Sequence, residues 1–287
     1  MSAPGLGAVE AALGTTVRAA RPVGGGCINA ALRAELADGR VLFLKHRGGE
    51  DAAAMYRAEA HGLDWLAPGP LRVPAVVALG AGEEPFLALE WIEAGRPAPG
   101  YDEALGRGLA GLHATGAPGF GLDRDNWVGA VEQPNDPLPD WPAFYLERRL
   151  APFLRRAVDL GHMPARASGL LERLGARSYQ LCGPPEPPAR LHGDLWAGNA
   201  MSGPAGEPVL IDPAVYGGHR EVDLAMMRLF GGFSKRTFAA SAEAAPLAEG
   251  HGERVELYQL MPLLVHAILF NGHYGGAAER VLARYAG

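Results

Sequence analysis

Short stretches in which apolar and polar residues alternate dominate roughly the first ninety positions, a pattern that predicts β-strands. Two extended runs, 28–37 and 41–46, are separated by Asp38 and Gly39, a pair that is typical of a tight hairpin turn. The alanine-rich segment 51–66 carries its larger apolar residues on one side and predicts a helix. Two further apolar runs complete a small antiparallel sheet, at 73–79 and 86–92.

The pattern changes after Glu93, where the Pro- and Gly-rich segment 94–100 is typical of a linker. Apolar residues at helical spacing then predict a helix over 101–115. The other expected elements are a helical stretch over 141–160 that Pro152 kinks or splits, a short strand over 209–211 and helices from 221 onwards. We therefore predict an α+β protein of two lobes, a small β-rich N-lobe over 1–92 and a larger, mostly helical C-lobe over 93–287.

Composition and charge exclude several functional classes. The 287 residues are 48 % hydrophobic, which predicts a sizeable core rather than disorder. A net charge of −6 argues against binding nucleic acid by broad phosphate neutralisation. The most apolar stretch, 260–270, contains Pro262 and His266 and is shorter than the roughly 20 residues that a membrane helix needs. With no secretory signal and no disulfide framework in sight, we expect a cytoplasmic protein without a membrane or nucleic-acid partner.

The clearest chemical motif lies in the segment 192–199 and the apolar strand that follows it. Asp194 is followed five residues later by Asn199, and Asp212 stands at the end of the strand. This layout is typical of phosphotransfer: Asp194 would accept or orient the proton of the attacking hydroxyl, and Asn199 and Asp212 would hold Mg²⁺ on nucleotide phosphates. A solvated turn with a capping Asp is the alternative, but the two further oxygen ligands favour the catalytic interpretation.

A lysine and a glutamate upstream extend this interpretation. Lys45 stands in the apolar strand 41–46 and is one of only two lysines in the chain, the other being Lys235. Glu59 follows on the predicted helix. In kinase-like folds a strand lysine contacts the α- and β-phosphates and is held by a helix glutamate. A surface lysine and a solvated glutamate are the alternative, which the scarcity of lysine disfavours.

Two further segments are candidates for binding the nucleotide. A glycine-rich loop before the hairpin would let backbone N–H groups approach phosphate oxygens, or would serve only as a flexible strand entry. The glycines are Gly24, Gly25 and Gly26. At the end of the last strand of the N-lobe, the main chain would pair with the adenine edge, as in a kinase hinge, or would merely finish the strand, and the two interpretations are compatible. The hinge residues are Glu90, Trp91 and Ile92.

The remaining polar residues near the motif are expected to support it. Asp223 begins a helix soon after Asp212, and we expect it to be buried and to accept hydrogen bonds from backbone N–H groups of the catalytic loop. His113, His192 and His219 have no metal-ligand spacing, so we expect structural roles for them.

With these motifs, the chain resembles the fructosamine kinase (ketosamine-3-kinase) family, relatives of the aminoglycoside phosphotransferases with a two-lobed protein-kinase-like fold. The resemblance covers the glycine-rich loop with Cys27, the catalytic loop with Trp196, and nearly all of 211–225. It also extends to two stretches whose role the motifs do not explain, 125–135 and 144–150.

The resemblance implies ATP-dependent phosphorylation of the 3-hydroxyl of ketosamines, the adducts of sugars with small amines or protein lysines. The phosphorylated adduct decomposes and regenerates the amine, which is deglycation. The resemblance also implies ATP and Mg²⁺ as cofactors, Asp194 as base, Asn199 and Asp212 as metal ligands, Lys45 as phosphate contact and Glu59 as its partner. An aminoglycoside- or choline-type phosphotransferase and a nucleotide-binding pseudokinase remain the alternatives.

Cys27 supports a separate hypothesis about oligomeric state. A thiol in a glycine-rich loop is expected to be exposed, and two such loops could approach each other. A Cys27–Cys27 disulfide would then give a redox-linked homodimer, whereas an inert small residue at a tight position is the alternative.

Overall fold

The computed structural model describes residues 6–24, 31–46 and 48–287. The elements of the N-lobe are α1 (Leu6–Leu13), β1 (Val17–Val23), β2 (Ala31–Leu36), β3 (Val41–His46), α2 (Ala52–Leu66), β4 (Val76–Gly80) and β5 (Phe86–Glu90). The five strands form one antiparallel sheet in the order β1-β2-β3-β5-β4. The predicted N-lobe sheet with its helix over 51–66 is confirmed.

Two elements of this lobe, α1 and β1, are not predicted by the sequence pattern. Strand β1 is an edge strand in which no residue is fully buried, so it lacks the alternation by which strands are recognised. The predicted strand 28–37 corresponds to β2, and its positions 28–30 lie outside the described residues.

The two faces of the sheet bury different side chains. On one face, Leu42 and Leu44 of β3 pack with α1. On the other face, Leu87 and Leu89 of β5 pack against α2. Lys45 is opposite Leu87 in the antiparallel register, so both side chains project from the same face. Alternation along β3 therefore places Lys45 on the α2 face, away from the leucines of its own strand.

The C-lobe is mostly helical and contains the main hydrophobic core. Its helices are α3 (Tyr101–Ala114), α4 (Trp141–Phe144), α5 (Ala151–Asp159), α6 (Ala167–Gly175), α7 (Ser178–Leu181), α8 (Glu221–Leu229), α9 (Lys235–Ala244), α10 (His251–Phe270) and α11 (Tyr274–Ala286). Its strands are β6 (Asn126–Val128), β7 (Val131–Gln133), β8 (Ala189–Leu191), β9 (Ala200–Ser202), β10 (Pro208–Leu210) and β11 (Tyr216–Gly218). The helix predicted over 101–115 and the helices predicted from 221 onwards are confirmed.

The helical stretch predicted over 141–160 is divided into three parts. A six-residue π-helix, Tyr145–Leu150, connects α4 with α5. The backbone stays helical from α4 through the π-helix into α5, and Pro152 lies in the first turn of α5, just after the π-helix ends. The proline therefore stands where the helix changes from π to α geometry, which agrees with the expected division of the stretch.

Three short antiparallel pairs build the part of the C-lobe that faces the N-lobe: β6 with β7, β8 with β11, and β9 with β10. The loop between β8 and β9 and the loop between β10 and β11 contain the phosphotransfer motif. Within residues 6–24, 31–46 and 48–287, none of the helices has the combination of length and apolar character needed to cross a membrane.

Candidate active site

Lys45 lies at one of the contacts between the two lobes. Its Nζ lies 2.7 Å from Oε1 of Glu59 on α2 and 2.6 Å from Oδ1 of Asp212 in the C-lobe. The lysine is 6 % exposed. Burial by itself would lower the pKa of Lys45, but the two carboxylates raise it above its ordinary value, so the ammonium stays charged. Burial raises the pKa of Glu59, and the charge of Lys45 opposes that shift.

Asp212 has an unusual backbone. Its φ angle is +51°, in the left-handed region that residues other than glycine rarely adopt. The short polar side chain of aspartate tolerates this region better than most. The conformation directs a carboxylate that is about half exposed (47 %) toward Lys45. A backbone of this kind persists only where surrounding contacts hold it, and such positions are frequent at functional sites.

Asn199 joins the two loops of the motif. It ends a short 3₁₀ turn, Ala197–Asn199, and its Nδ2 donates to the backbone carbonyl of Asp194 at 2.8 Å and to Oδ2 of that residue at 3.2 Å. The same nitrogen lies 3.4 Å from the carbonyl oxygen of Asp212. The amide nitrogen is thus committed to the loops, and Oδ1 is the atom of this side chain suited to a cation.

Asp194 has the protonation behaviour of a base that works near neutral pH. Burial raises its pKa to about 7, and the nearby charge of Asp212 contributes to the rise. The hydrogen bond from Asn199 acts in the opposite direction. A pKa close to the working pH is the condition under which general acid–base catalysis is most efficient.

Asp223 fixes the start of the catalytic loop, as the sequence predicts. Its carboxylate accepts hydrogen bonds from the backbone N–H groups of His192 and Gly193, both at 3.0 Å, and lies 2.9 Å from Nε2 of His113. Burial would raise the pKa of Asp223, but these partners lower it below its ordinary value. His192 contacts the carbonyl oxygen of Ile211 through Nε2 at 3.0 Å, so it ties the two loops together. Both histidines have the structural role expected of them.

The hinge is only partly free to bind a base. The backbone N–H of Glu90 donates to the carbonyl of Ala75 at 2.9 Å, and its carboxylate pairs with Arg72 at 2.5 Å. The carbonyl of Glu90 and the main chain of Trp91 and Ile92 are therefore the groups that remain for adenine.

The glycine-rich loop can be placed only at its first residue. Gly24 directly follows β1, and a Cβ added there would meet no atom within 4 Å. Gly25, Gly26 and Cys27 lie outside the described residues. The two loop glycines and the thiol therefore stay sequence predictions.

A pocket opens beside Asp194 on its C-lobe side. It is narrow, with a volume of about 10 Å³, and its wall is mostly apolar, with Met226 of α8 and Met261 of α10 among the lining residues. His266 is the other polar side chain, besides Asp194, in this lining. Burial lowers the pKa of His266, and its Nδ1 lies 2.8 Å from the carbonyl of Pro262, which leaves Nε2 as the hydrogen-bond acceptor of a neutral ring.

Sequence reasoning missed His266. It stands in the apolar stretch 260–270, which the sequence analysis uses only to exclude a membrane helix. An imidazole inside an apolar helix is the signal that could have identified it. Three aromatic rings surround this histidine, with ring centroids 4.6, 5.4 and 5.1 Å away: Phe230, Phe270 and Tyr274.

Comparison with known proteins gives consistent results over nearly the whole chain. The family described as fructosamine kinase matches residues 8–286. A Synechocystis protein named as a probable ketoamine kinase is 38 % identical over 270 residues, covering 91 % of this chain and 88 % of its own. The chloroplastic protein-ribulosamine 3-kinase of Arabidopsis thaliana is 34 % identical over 273 residues, covering 92 % of this chain and 81 % of its own.

A solved structure shows the same architecture. It is that of a Thermobifida fusca protein named as a candidate fructosamine-3-kinase, with a TM-score of 0.87 and 41 % sequence identity. The similarity covers 97 % of this chain and 96 % of the other. The resemblance noted from the motifs alone is thus confirmed by an alignment of the entire fold.

Proposed function

Because the chain belongs to the fructosamine kinase family, we propose that it transfers the γ-phosphoryl group of ATP to the 3-hydroxyl of a ketosamine. The chain is a phosphotransferase by family membership. The observation that carries the proposal is that five polar residues predicted from the motifs are joined by hydrogen bonds, in a chain that matches the family over residues 8–286. They are Lys45, Glu59, Asp194, Asn199 and Asp212. The phosphorylated adduct then decomposes to the free amine, which makes the reaction a step of deglycation.

The N-lobe, with its boundary near residue 92, binds the nucleotide in this proposal. Lys45 contacts the α- and β-phosphates, and Glu59 holds the ammonium in place. Adenine lies against the hinge, where the main chain from Glu90 to Ile92 offers the groups described above. Gly24 and its two neighbouring glycines cover the phosphates with backbone N–H groups.

Mg²⁺ fits the oxygen atoms at the junction of the two C-lobe loops. Oδ1 of Asn199 and the half-exposed carboxylate of Asp212 would hold it, and both are the hard ligands that this ion prefers. Within the described residues no group of three or more His, Cys, Asp or Glu side chains could hold a metal alone. That suits an ion that takes its other ligands from water and phosphate. When bound, the ion would neutralise charge on the transferred phosphoryl group.

The chemical step needs a base at the acceptor hydroxyl. The 3-oxygen of the ketosamine attacks the γ-phosphorus, the bond from that phosphorus to the β–γ bridging oxygen breaks, and ADP leaves. The hydroxyl proton passes to the carboxylate of Asp194, which burial makes a stronger base than an exposed aspartate.

In this proposal the acceptor binds at the mouth of the narrow pocket beside Asp194. Nε2 of neutral His266 accepts a hydrogen bond from a sugar hydroxyl, and the apolar wall with Met226 and Met261 contacts the carbon chain on the amine side. Both free and protein-bound ketosamines are compatible with a pocket that opens to the surface. A cytoplasmic location and a redox-linked dimer through Cys27 remain parts of the proposal. An unchanged monomer band of oxidised protein on a non-reducing gel would contradict the dimer.

The experiment that tests the function measures ATP consumption with Mg²⁺ and five acceptor conditions: a ribulosamine, a fructosamine, kanamycin, choline and none. We expect turnover on one or both ketosamines alone. Turnover on kanamycin or choline would instead support an aminoglycoside- or choline-type phosphotransferase. Binding of ATP without turnover on any acceptor would support a pseudokinase.

A further inference from the structure

The two family-specific stretches without a catalytic role form one buried polar cluster in the C-lobe. It consists of Asn126, Gln133, Asn135 and Arg149, which are at most 3 % exposed. Oδ1 of Asn126 accepts hydrogen bonds from Nε2 of Gln133 and Nδ2 of Asn135, both at 2.8 Å. Oδ1 of Asn135 accepts from Nη2 of Arg149 at 2.5 Å. The four side chains are thus joined in one continuous network.

The network ends on the backbone that follows Asp212. Nδ2 of Asn126 donates to the carbonyl of Val215 at 2.8 Å, and Nε2 of Gln133 donates to the carbonyl of Ala214 at 3.1 Å. Asn126 and Gln133 are opposite each other in the hairpin of β6 and β7, so a rigid element presents both amides. Two consecutive carbonyls of the loop are therefore fixed only a few positions after Asp212.

The same stretch of backbone touches the loop of Asp194. The N–H of Ala214 donates to the carbonyl of His192 at 2.9 Å. Gly193 has a φ of +81°, and a Cβ built on it would lie 2.0 Å from the carbonyl oxygen of Ala214. No side chain fits between the loops at this point. A displacement of Ala214 would therefore shift the catalytic loop as well as its own.

Arg149 is the cationic member of the network. It lies on the π-helix, and its Cζ is 3.8 Å from the ring centroid of Tyr216, the first residue of β11, directly after the loop that the network supports. Burial lowers the pKa of Arg149 to about 10, so it is cationic at neutral pH. Among the described residues it makes no ion pair. Its hydrogen bonds go to Asn135 and to the carbonyls of Pro134 and Arg148.

Stability alone is a poor explanation for this cluster. Within the part of the chain that the structure describes, Oε1 of Gln133 and Nε of Arg149 are buried without a hydrogen-bond partner. Buried polar atoms of this kind destabilise a fold, and well-packed apolar residues of similar volume often serve a core as well or better. The cluster does provide directional bonds to two specific carbonyls, which apolar residues cannot.

We propose that Asn126, Gln133, Asn135 and Arg149 are positioning residues that fix the backbone at 214–216 and thereby the relative placement of Asp194 and Asp212. Only the kinetic readout of this inference rests on the proposed function. The network acts through the backbone, and none of its four residues lines the pocket beside Asp194.

The test compares two substitutions of glutamine by methionine. Gln133→Met keeps the side-chain length and removes the bonds to Ala214 and Asn126. Gln259→Met is the matched control, because Nε2 of Gln259 donates to a backbone carbonyl on α8, that of Ala225, at 3.0 Å. For Gln133→Met we expect kcat on a ketosamine to fall at least tenfold while KM for ATP stays within twofold. For Gln259→Met we expect both constants within twofold of wild type.

Hydrogen exchange gives a readout that does not depend on the substrate assignment. In Gln133→Met, but not in Gln259→Met, backbone N–H groups in 212–218 should exchange at least tenfold faster. The inference would be overturned if the exchange rates and kcat were the same in the two variants. It would also be overturned if KM for ATP rose by the same factor by which kcat fell. If the wild-type protein does not turn over a ketosamine, the proposed function is refuted. The hydrogen-exchange comparison still tests the inference in that case. Asn126→Ser, which loses the bond to Val215, replaces Gln133→Met if that variant does not fold.

Discussion

Lys45 and Asp212 are 167 positions apart in the sequence, and Nζ of the lysine lies 2.6 Å from Oδ1 of the aspartate. This contact joins β3 of the N-lobe to the loop after β10 of the C-lobe. Glu59 holds the same ammonium from the other side at 2.7 Å. The lysine is therefore already oriented toward the place where phosphates and a cation are expected to bind.

Loss of this lysine should affect the nucleotide step most. For Lys45→Met we expect KM for ATP to rise about tenfold and kcat to fall about 10²-fold or more, because a positioned charge on the phosphates is removed. Steady-state kinetics with varied ATP measures both constants. The exposed Lys235 provides the control, and Lys235→Met should behave as wild type. A Lys45→Met enzyme with unchanged kinetics would contradict the assigned contact.

Replacement of Asp194 should separate binding from chemistry. We expect Asp194→Asn to fold and bind ATP with wild-type affinity, while turnover on a ketosamine falls about 10²- to 10⁴-fold, since the proton acceptor is missing. Calorimetry measures the affinity for ATP, and a coupled assay for ADP release measures the turnover. Full turnover in the variant would show that another group, or water, takes the proton.

The carboxyl of Asp194 should titrate near neutral pH in protein that is free of nucleotide and Mg²⁺. Infrared difference spectra against Asp194→Asn should show a midpoint at pH about 7, with the carboxylate present above it. Burial raises the pKa of Asp194 more than the charge of Asp212 does. The substitution Asp212→Asn should therefore lower the midpoint of the titration without returning it to the value of an ordinary aspartate. A wild-type midpoint near pH 4 would contradict this account.

Asp223 should contribute stability that depends on pH. Because its pKa lies below the ordinary 3.8, its contribution is complete above about pH 5 and is lost as the pH falls through 3.8 and below. We expect Asp223→Asn to lower the free energy of unfolding by about 2 kcal/mol at pH 7, with a smaller difference at pH 3. Urea denaturation at both pH values measures this. The exposed Asp159 is the control, and Asp159→Asn should change little at either pH.

His266 should determine how well the acceptor binds. His266→Phe keeps an aromatic ring beside Phe230 and removes Nε2. We expect KM for the ketosamine to rise about tenfold, the cost of roughly one hydrogen bond to the acceptor, with KM for ATP unchanged. His273→Phe, at an exposed position next to α11, serves as control. An equal KM for the ketosamine in both variants would exclude His266 from the acceptor site.

The sequence predicts those parts of the site that depend on local spacing. Asp194, Asn199 and Asp212 come from one continuous motif, and Lys45 and Glu59 from one strand and the helix after it, so the pattern alone identifies all five. The structure brings these residues together. Which groups act on ATP and metal stays a prediction, since geometry alone does not test their roles.

What the sequence does not predict depends on contacts between distant segments. His266 becomes a candidate only when α10 packs beside the loop of Asp194. The bond from Gln133 to the carbonyl of Ala214 joins positions 81 residues apart, and although the family resemblance covers both segments, the sequence does not show that they touch. Strand β1 escapes recognition for a different reason: it is an exposed edge, and the pattern of apolar residues reports burial.

The burial of Lys45 also shields it from sugars. Condensation of a sugar aldehyde with lysine requires an unprotonated and accessible ε-amine, whereas this amine is 6 % exposed and is kept cationic by Glu59 and Asp212. Arginine replaces lysine almost everywhere else in the chain, and Lys235 is the one other ε-amine among its 287 residues. A member of the fructosamine kinase family thus carries little of the very group whose sugar adducts the family repairs, and its buried Lys45 offers a sugar little access.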